Sequence, residues 1–188
     1  MFFRRFRIMN KPVTILLACF FIVSGFHYAA AEEQPTLIKD GDAYRLEYTL
    51  EVDEESGFWT NLRDAIRAGQ IARVTHQVDM AVADRMFGGR VAQTKAEKYV
   101  SYNLFENTYA YGTSPEDMRQ TTQLSQVKNF LFSLSAPNFV PTGRIETATL
   151  YNIRVRLRLD ESLKGSGGLG LDAFFGQKIT REFSHVAR

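Results

Sequence analysis

The strongest constraint on the fold is a strict two-residue alternation over residues 145–160. Apolar residues and threonines hold the odd positions, and charged or amide residues hold most of the even positions. Side chains of a strand point to opposite faces in turn, whereas a helix repeats every 3.6 residues, so the pattern predicts one long strand. Its buried face would carry Ile145, Thr147, Thr149, Tyr151, Ile153, Val155, Leu157 and Leu159, and its wet face Glu146, Asn152, Arg154, Arg156, Arg158 and Asp160.

Shorter runs of the same alternation predict further strands. They cover residues 44–52, 71–86 and 90–102, and a region around Tyr109 and Tyr111. Residues 114–117 fit either the start of a helix, with serine as the cap and proline first, or a hairpin turn. We favour the hairpin, with residues 118–121 returning as a strand.

Two short helices are predicted between the strands. Phe58, Trp59, Leu62, Ala65 and Ile66 fall on one helical face, and Gly69 stands where a glycine often ends a helix. The second helix covers about residues 123–134. Its apolar positions are three to four residues apart, and Ala136-Pro137 ends it.

These elements predict a mainly β fold of the α+β type. Alternation of apolar and charged residues is typical of antiparallel sheets with one wet face. We therefore expect a single domain over residues 43–188, built as an antiparallel β-sandwich or a strongly bent sheet with two short helices. Residues 32–42 are interpreted as a polar lead-in, and residues 164–188 as a glycine-rich loop and a tail.

The first 31 residues have the three parts of a secretory signal peptide. Four basic residues precede an uncharged apolar run from Val13 to Phe26, which small residues follow. Cleavage between Ala31 and Glu32 would place Ala29 and Ala31 at the small-residue positions. The expected location is the periplasm. The alternative is an uncleaved signal that anchors the chain in the inner membrane, because the apolar run is nearly long enough to span one.

Charge and cysteine content exclude several classes of function. Removal of residues 1–31 from the 188 would leave 157 residues with 19 Lys and Arg against 21 Asp and Glu, a net charge of −2. A nucleic-acid-binding domain is usually strongly basic, so no nucleic-acid partner is expected. The single cysteine, Cys19, lies in the signal. The remaining domain therefore has no thiol for a disulfide, a nucleophile or a metal site.

The order of features resembles one family of exported bacterial proteins, that of domain of unknown function 4390. The similarity follows YRLEYTLEV, AIRAGQIARVTHQVDM, VSYNLFENTYAYG, QLSQVKNFLFSL and LYNIRVRLRLDESL, and runs from Ala43 to the end. The tail departs from the family, since Phe174, Phe175 and Phe183 stand where its members carry a tryptophan. The resemblance implies a cell-envelope location and a membrane sensor complex as a partner to consider. It implies no activity, cofactor or catalytic residue.

Motifs that suggest chemistry have simpler interpretations. Residues 165–170, GSGGLG, match a dinucleotide fingerprint, but too few residues follow for a helix, a returning strand and the ribose-binding acid. We interpret them as a loop and expect no nucleotide or other cofactor. His76 lies on a predicted inner face and is interpreted as a core histidine. Residues 53–55 lack the spacing of a calcium loop. No catalytic and no metal-binding residues are therefore predicted.

The arginine row formed by Arg154, Arg156 and Arg158 is the candidate docking face. Arginines at every second position of a strand stand about 6.6 Å apart on one face. That much like charge needs acids, either on a partner or within the fold, and Glu47 and Glu51 are the internal candidates. We expect a non-enzymatic protein-binding or regulatory domain of the cell envelope with an envelope protein as partner. The alternative is a periplasmic binder of an apolar ligand or lipid in a cavity.

Overall fold

A computed structural model describes residues 34–83, 89–162 and 177–187 as one mainly β domain with two helices and two antiparallel sheets. This confirms the predicted fold class, and the two sheets are arranged as in a β-sandwich. The elements are β1 (Thr36–Asp40), β2 (Ala43–Thr49), α1 (Gly57–Arg67), β3 (Ile71–Val82), β4 (Arg90–Asn103), β5 (Thr108–Ser114), β6 (Asp117–Thr121), α2 (Leu124–Phe132), β7 (Ser133–Pro141), β8 (Leu150–Ser162) and β9 (Lys178–Val186). A 3-10 turn, Thr142–Arg144, follows β7.

The larger sheet has six strands in the order β6-β5-β4-β3-β8-β9, and every pair is antiparallel. Its centre is the three-strand unit β4-β3-β8, in which Val78 lies between Thr94 and Val155. One face of these strands forms the core, because alternate side chains of β3 and β8 are almost fully buried. The buried residues are Val74, His76, Val78, Met80, Ile153, Val155, Leu157 and Leu159.

The smaller sheet has three strands in the order β1-β2-β7 and covers that buried face. Leu46 and Tyr48 of β2 join the same hydrophobic core as β3 and β8. The Tyr48 hydroxyl lies 2.7 Å from Nδ1 of His76, which directly connects the two sheets. The core is therefore filled by side chains from both sheets.

Both predicted helices are present and pack against this core. In α1 the five residues predicted to share a face are all buried. Ser56 caps the helix by accepting a hydrogen bond from the Trp59 amide at 3.2 Å, and Gly69 follows the end with a φ of 75°. Helix α2 buries Val127, Leu131 and Phe132. The predicted hairpin at residues 114–117 is also confirmed, since Ser114 pairs with Asp117.

Three strands differ from the prediction. The polar lead-in contains β1, which forms a hairpin with β2 through the turn Gly41-Asp42. Strand β7 begins directly after α2. It tolerates Pro137 because it is an edge strand with a register shift at this point, where a missing N–H costs little. The tail contains β9, which pairs with β8.

The long strand β8 begins at Leu150 rather than Ile145. A 3-10 turn ends at Arg144, and Ala148 has a φ of 61°, which is incompatible with an extended strand. The alternation from residue 145 to residue 149 therefore belongs to a turn that leads into the strand. Within the described ranges, no helix is long and apolar enough to cross a membrane.

Candidate binding surface

The arginine row lies on the face of the six-stranded sheet that points away from the core, which we call the outer face. Val155 and Leu157, which alternate with the arginines, are 0% exposed. The side chains of Arg154, Arg156 and Arg158 are 51%, 26% and 58% exposed. The predicted one-sided strand is thus present at this part of β8.

Each arginine has an acidic neighbour, but not the acids predicted from the sequence. Nε of Arg154 lies 2.5 Å from Glu182 of β9, Arg156 pairs with Asp79 of β3, and Nε of Arg158 lies 2.8 Å from Asp160 of β8 itself.

The predicted pairing with Glu47 and Glu51 is wrong. Glu47 belongs to the smaller sheet, where it pairs with Arg45 at 3.0 Å. Glu51 follows that strand and lies outside the six-stranded sheet. The neighbours of β8 are β3 and β9, which supply Asp79 and Glu182, while Asp160 comes from β8 itself.

The strand register places the side chains of the outer face in rows across the sheet. One row joins Lys95, Gln77, Arg156 and Thr180, and the next joins Glu97, Thr75, Arg158 and Lys178. A depression of about 340 Å³ lies over these two rows. We call it the basic pocket, and its lining residues are Thr75, Gln77, Lys95, Arg156, Arg158 and Lys178.

Positive charge exceeds negative charge around the basic pocket. Among the lining residues that the structure describes, none is acidic and four of the six are cationic. The three carboxylates at its rim, those of Asp79, Glu97 and Asp160, are shared among five cations: Arg73, Arg90, Lys95, Arg156 and Arg158. Lys178 has no ion pair with any residue that the structure describes. The outer face therefore has an excess of cations at its centre, which favours an anionic ligand.

Two members of the basic pocket, Lys95 and Lys178, were not predicted. Lys95 stands at a polar position of the alternation in β4, so the sequence indicates that its side chain lies on the wet face of that strand. The sequence does not indicate how far Lys95 lies from the arginine row. Lys178 begins β9, the strand that was interpreted as a tail. Both reach the pocket through strand pairing, which the alternation of a single strand does not determine.

His76 is a core residue, as predicted. It is 0% exposed; its Nδ1 lies 2.7 Å from the Tyr48 hydroxyl and its Nε2 lies 2.7 Å from the Leu131 carbonyl oxygen. A carbonyl oxygen only accepts, so Nε2 carries the proton and Nδ1 accepts from Tyr48. Burial, with the positive charge of Lys98 second, lowers the pKa of His76 to about 3, and the Leu131 hydrogen bond opposes this. A neutral histidine with both nitrogens bonded has no free atom for catalysis.

Lys98 lies beside this cluster and is also buried. Its ammonium donates hydrogen bonds to the carbonyl oxygens of Phe130 and Ser133, and it lies 4.7 Å from the centre of the Phe130 ring. Burial lowers the pKa of Lys98 to about 8. Together with His76 it binds carbonyl groups at the end of α2, where orphan carbonyl groups and the helix dipole favour a cation. We assign both residues a structural role.

The other predicted motifs are accounted for as follows. Residues 53–55 form a turn in which Asp53 accepts a hydrogen bond from the Glu55 amide at 2.9 Å, and Glu54 pairs with Lys128. Residues 165–170 and the signal region with Ala29, Ala31 and Glu32 lie outside the described residues. Among the described residues, no group of three or more His, Cys, Asp and Glu side chains could hold a metal ion.

Two larger clefts lie elsewhere on the domain. A cleft of about 670 Å³ lies on the smaller sheet, and its lining includes Thr36, Glu47, Thr49, Ser133 and Ser135. A cleft of about 520 Å³ is lined by apolar residues such as Leu37, Tyr44 and Ile145, and also by Gln34, Ser184 and His185. Both volumes are within the range of ligand sites, but sites for small apolar ligands are mainly apolar. Their mixed linings do not define an apolar pocket.

The fold and its charged surface define a class, a two-sheet antiparallel β domain with a cation-rich depression on its outer face. No family model, no curated protein and no solved structure matches the chain. The resemblance to domain of unknown function 4390 stays a prediction.

Proposed function

We propose that this chain is a non-enzymatic binding or regulatory domain of the bacterial cell envelope, and that it docks an acidic segment of a partner protein on its outer face. The observation that carries the proposal is the basic pocket, whose described lining has four cationic side chains and no acid. Arginine is well suited to this role because its planar guanidinium group binds carboxylates through two parallel hydrogen bonds.

Location in the envelope is part of the proposal. Its support is the signal pattern in residues 1–31 and the resemblance to an exported family. A membrane sensor complex is the kind of partner that this resemblance suggests.

Processing of the N-terminus tests the location. We expect the exported protein to begin at Glu32, because cleavage after Ala31 places Ala29 and Ala31 at the positions that signal peptidases require to be small. Intact-mass analysis of protein isolated from the periplasm measures this directly. A chain that begins at Met1 would indicate an anchored protein, and a chain that begins at Cys19 with added lipid mass would indicate a lipoprotein.

A non-enzymatic role is proposed on chemical grounds. Hydrolases need a nucleophile and a base within hydrogen-bonding reach of a substrate. His76 is buried and fully bonded, and the only cysteine lies in the signal region. An apolar-ligand function is the second candidate, and the 520 Å³ cleft beside Leu37 and Tyr44 is where it would act.

A double charge reversal tests the docking face. Arg154→Glu with Arg158→Glu should abolish capture of the partner from envelope extract, since the surface changes from cation-rich to anion-rich. The melting temperature should change by only a few degrees, because both side chains are more than half exposed and surface ion pairs contribute little. Capture by the wild type should weaken with added salt.

Controls separate docking from folding. Arg67→Glu with Arg119→Glu makes the same change in net charge at exposed positions outside the outer face, and should keep the partner. Because the reversal replaces the cation beside Glu182 with a second carboxylate, a third substitution, Glu182→Arg, should restore any lost stability without restoring capture. Restoration of both would show that the arginine row is purely structural.

A further inference from the structure

We propose that the basic pocket binds two carboxylates at alternate positions of an extended acidic segment that lies along β8. This inference rests on the proposed function and specifies the chemistry of the partner. The pattern it requires is an acid, any residue, and a second acid, held in an extended conformation.

The spacing of the arginines along β8 supports a two-residue spacing of the carboxylates in the ligand. Arg156 and Arg158 stand two residues apart on one face of β8, so their backbones are about 6.6 Å apart. An extended peptide has the same two-residue repeat, so a segment parallel or antiparallel to β8 would place one carboxylate over each arginine. Adjacent acids in an extended segment point to opposite sides, so only one of them would face the sheet.

The positions of the two lysines support the inference in the direction perpendicular to the strands. Lys95 is in the row of Arg156, two strands away on β4, and Lys178 is in the row of Arg158, one strand away on β9. Each row of the pocket therefore offers one guanidinium and one ammonium group. Two rows with one such pair each fit two separate carboxylates better than a single anion.

Three of the four cations that line the pocket are already held in position by ion pairs. Arg156 is held by Asp79, Arg158 by Asp160, and Lys95 by Glu97 at 2.8 Å. A guanidinium group has five N–H donors, so these pairs leave donors free for a ligand. Groups fixed before binding lose less side-chain entropy when the ligand arrives.

The distribution of acids on the outer face favours a narrow segment over a membrane. Glu182 is 57% exposed and Glu97 29% exposed, and both lie outside the lining of the pocket. A flat anionic bilayer would approach these carboxylates together with the cations. A short extended segment over Arg156 and Arg158 faces the cationic centre of the pocket.

Synthetic peptides test the spacing. The probe is a fluorescein-labelled peptide with glutamate at every second position and threonine between. Its isomer has the same composition with the glutamates in adjacent pairs separated by two threonines, so that no two acids stand two residues apart, and its neutral form has glutamine for glutamate. By fluorescence anisotropy at low salt, the alternating peptide should bind the full-length protein about tenfold more tightly than the isomer. The neutral form should not bind. Equal affinities of the two acidic isomers would overturn the inference.

Variants of the protein test the two rows. Lys95→Ala with Lys178→Ala should weaken the alternating peptide about tenfold. The matched control, Lys39→Ala with Arg67→Ala, removes two exposed cations elsewhere and should leave the affinity unchanged. Competition by inorganic phosphate, or by vesicles of phosphatidylglycerol, at concentrations where acetate has no effect would show that the pocket takes a phosphate group instead.

Failure of this inference differs from failure of the proposed function. If the arginine double reversal abolishes capture of the partner but the two acidic isomers bind equally, the docking face stands and the alternation is wrong. If the reversal leaves capture intact, the docking face itself is wrong.

Discussion

Val155→Asp should lower the free energy of unfolding by about 3 kcal/mol or more, because it replaces a valine of the core with a carboxylate that loses its hydration on burial. Val155 is 0% exposed and lies beside Val78 in the centre of the six-stranded sheet. The valine also packs in the core shared by both sheets. Urea unfolding followed by circular dichroism measures the change, and an unfolded variant at neutral pH would count as the same result.

The matched control is Arg154→Ala, one residue away on the opposite face. Its side chain is 51% exposed, and among the described residues its ion pair is with Glu182, which is 57% exposed, so the change should cost less than about 1 kcal/mol. Arg156 is a poorer control because its partner Asp79 is only 11% exposed and would lose a close cation. Similar losses for Val155→Asp and Arg154→Ala would show that β8 does not have one buried and one wet face.

Acid should destabilise the protein through His76, between about pH 6.5 and pH 3. The unfolded histidine titrates near its ordinary pKa of 6.5, whereas burial and the charge of Lys98 lower the folded pKa to about 3. In that window the unfolded chain binds more protons than the folded chain, so stability falls as the pH falls. One group changes stability by at most about 1.4 kcal/mol per pH unit.

His76→Gln separates this contribution from that of the carboxylates. The variant should be less stable than the wild type at pH 7, because the shorter amide group cannot reproduce the geometry of both ring nitrogens toward Tyr48 and Leu131. Its stability should nevertheless fall less steeply below pH 6.5, since glutamine does not titrate. Urea unfolding at a series of pH values gives both. Equal slopes for the wild type and His76→Gln would contradict the assignment.

The alternation of single strands predicted which side chains of β8 are buried, because burial of a face is a local property of the strand. It could not predict which strands lie beside β8. Glu47 and Glu51 were plausible partners for the arginine row by their own alternation, yet Glu47 lies in the other sheet. Register and strand order depend on long-range packing, so Asp79 and Glu182 could be identified only from the fold.

The strands that were missed have sequences with mixed signals. Strand β7 contains Pro137, which has no N–H, and Asn138, which has a positive φ. The sheet tolerates these residues because β7 is an edge strand. Strand β1 is five residues long and follows Pro35. The basic pocket could not be predicted from the sequence for a related reason. Lys178 reaches it from β9, which is separated from β8 by residues 163–177 of the chain.

The hydrogen bonds of His76 determine which parts of the domain unfold together. Its ring joins β3 to β2 through Tyr48 and to α2 through Leu131, while Lys98 holds the same end of α2 from β4. If the two sheets separated locally, the Tyr48 hydroxyl and the His76 ring would lose their hydrogen-bond partners inside an apolar core. A buried polar group without a hydrogen bond destabilises the folded state. The two sheets and α2 therefore form a single cooperative unit, whose parts are protected together and lost together.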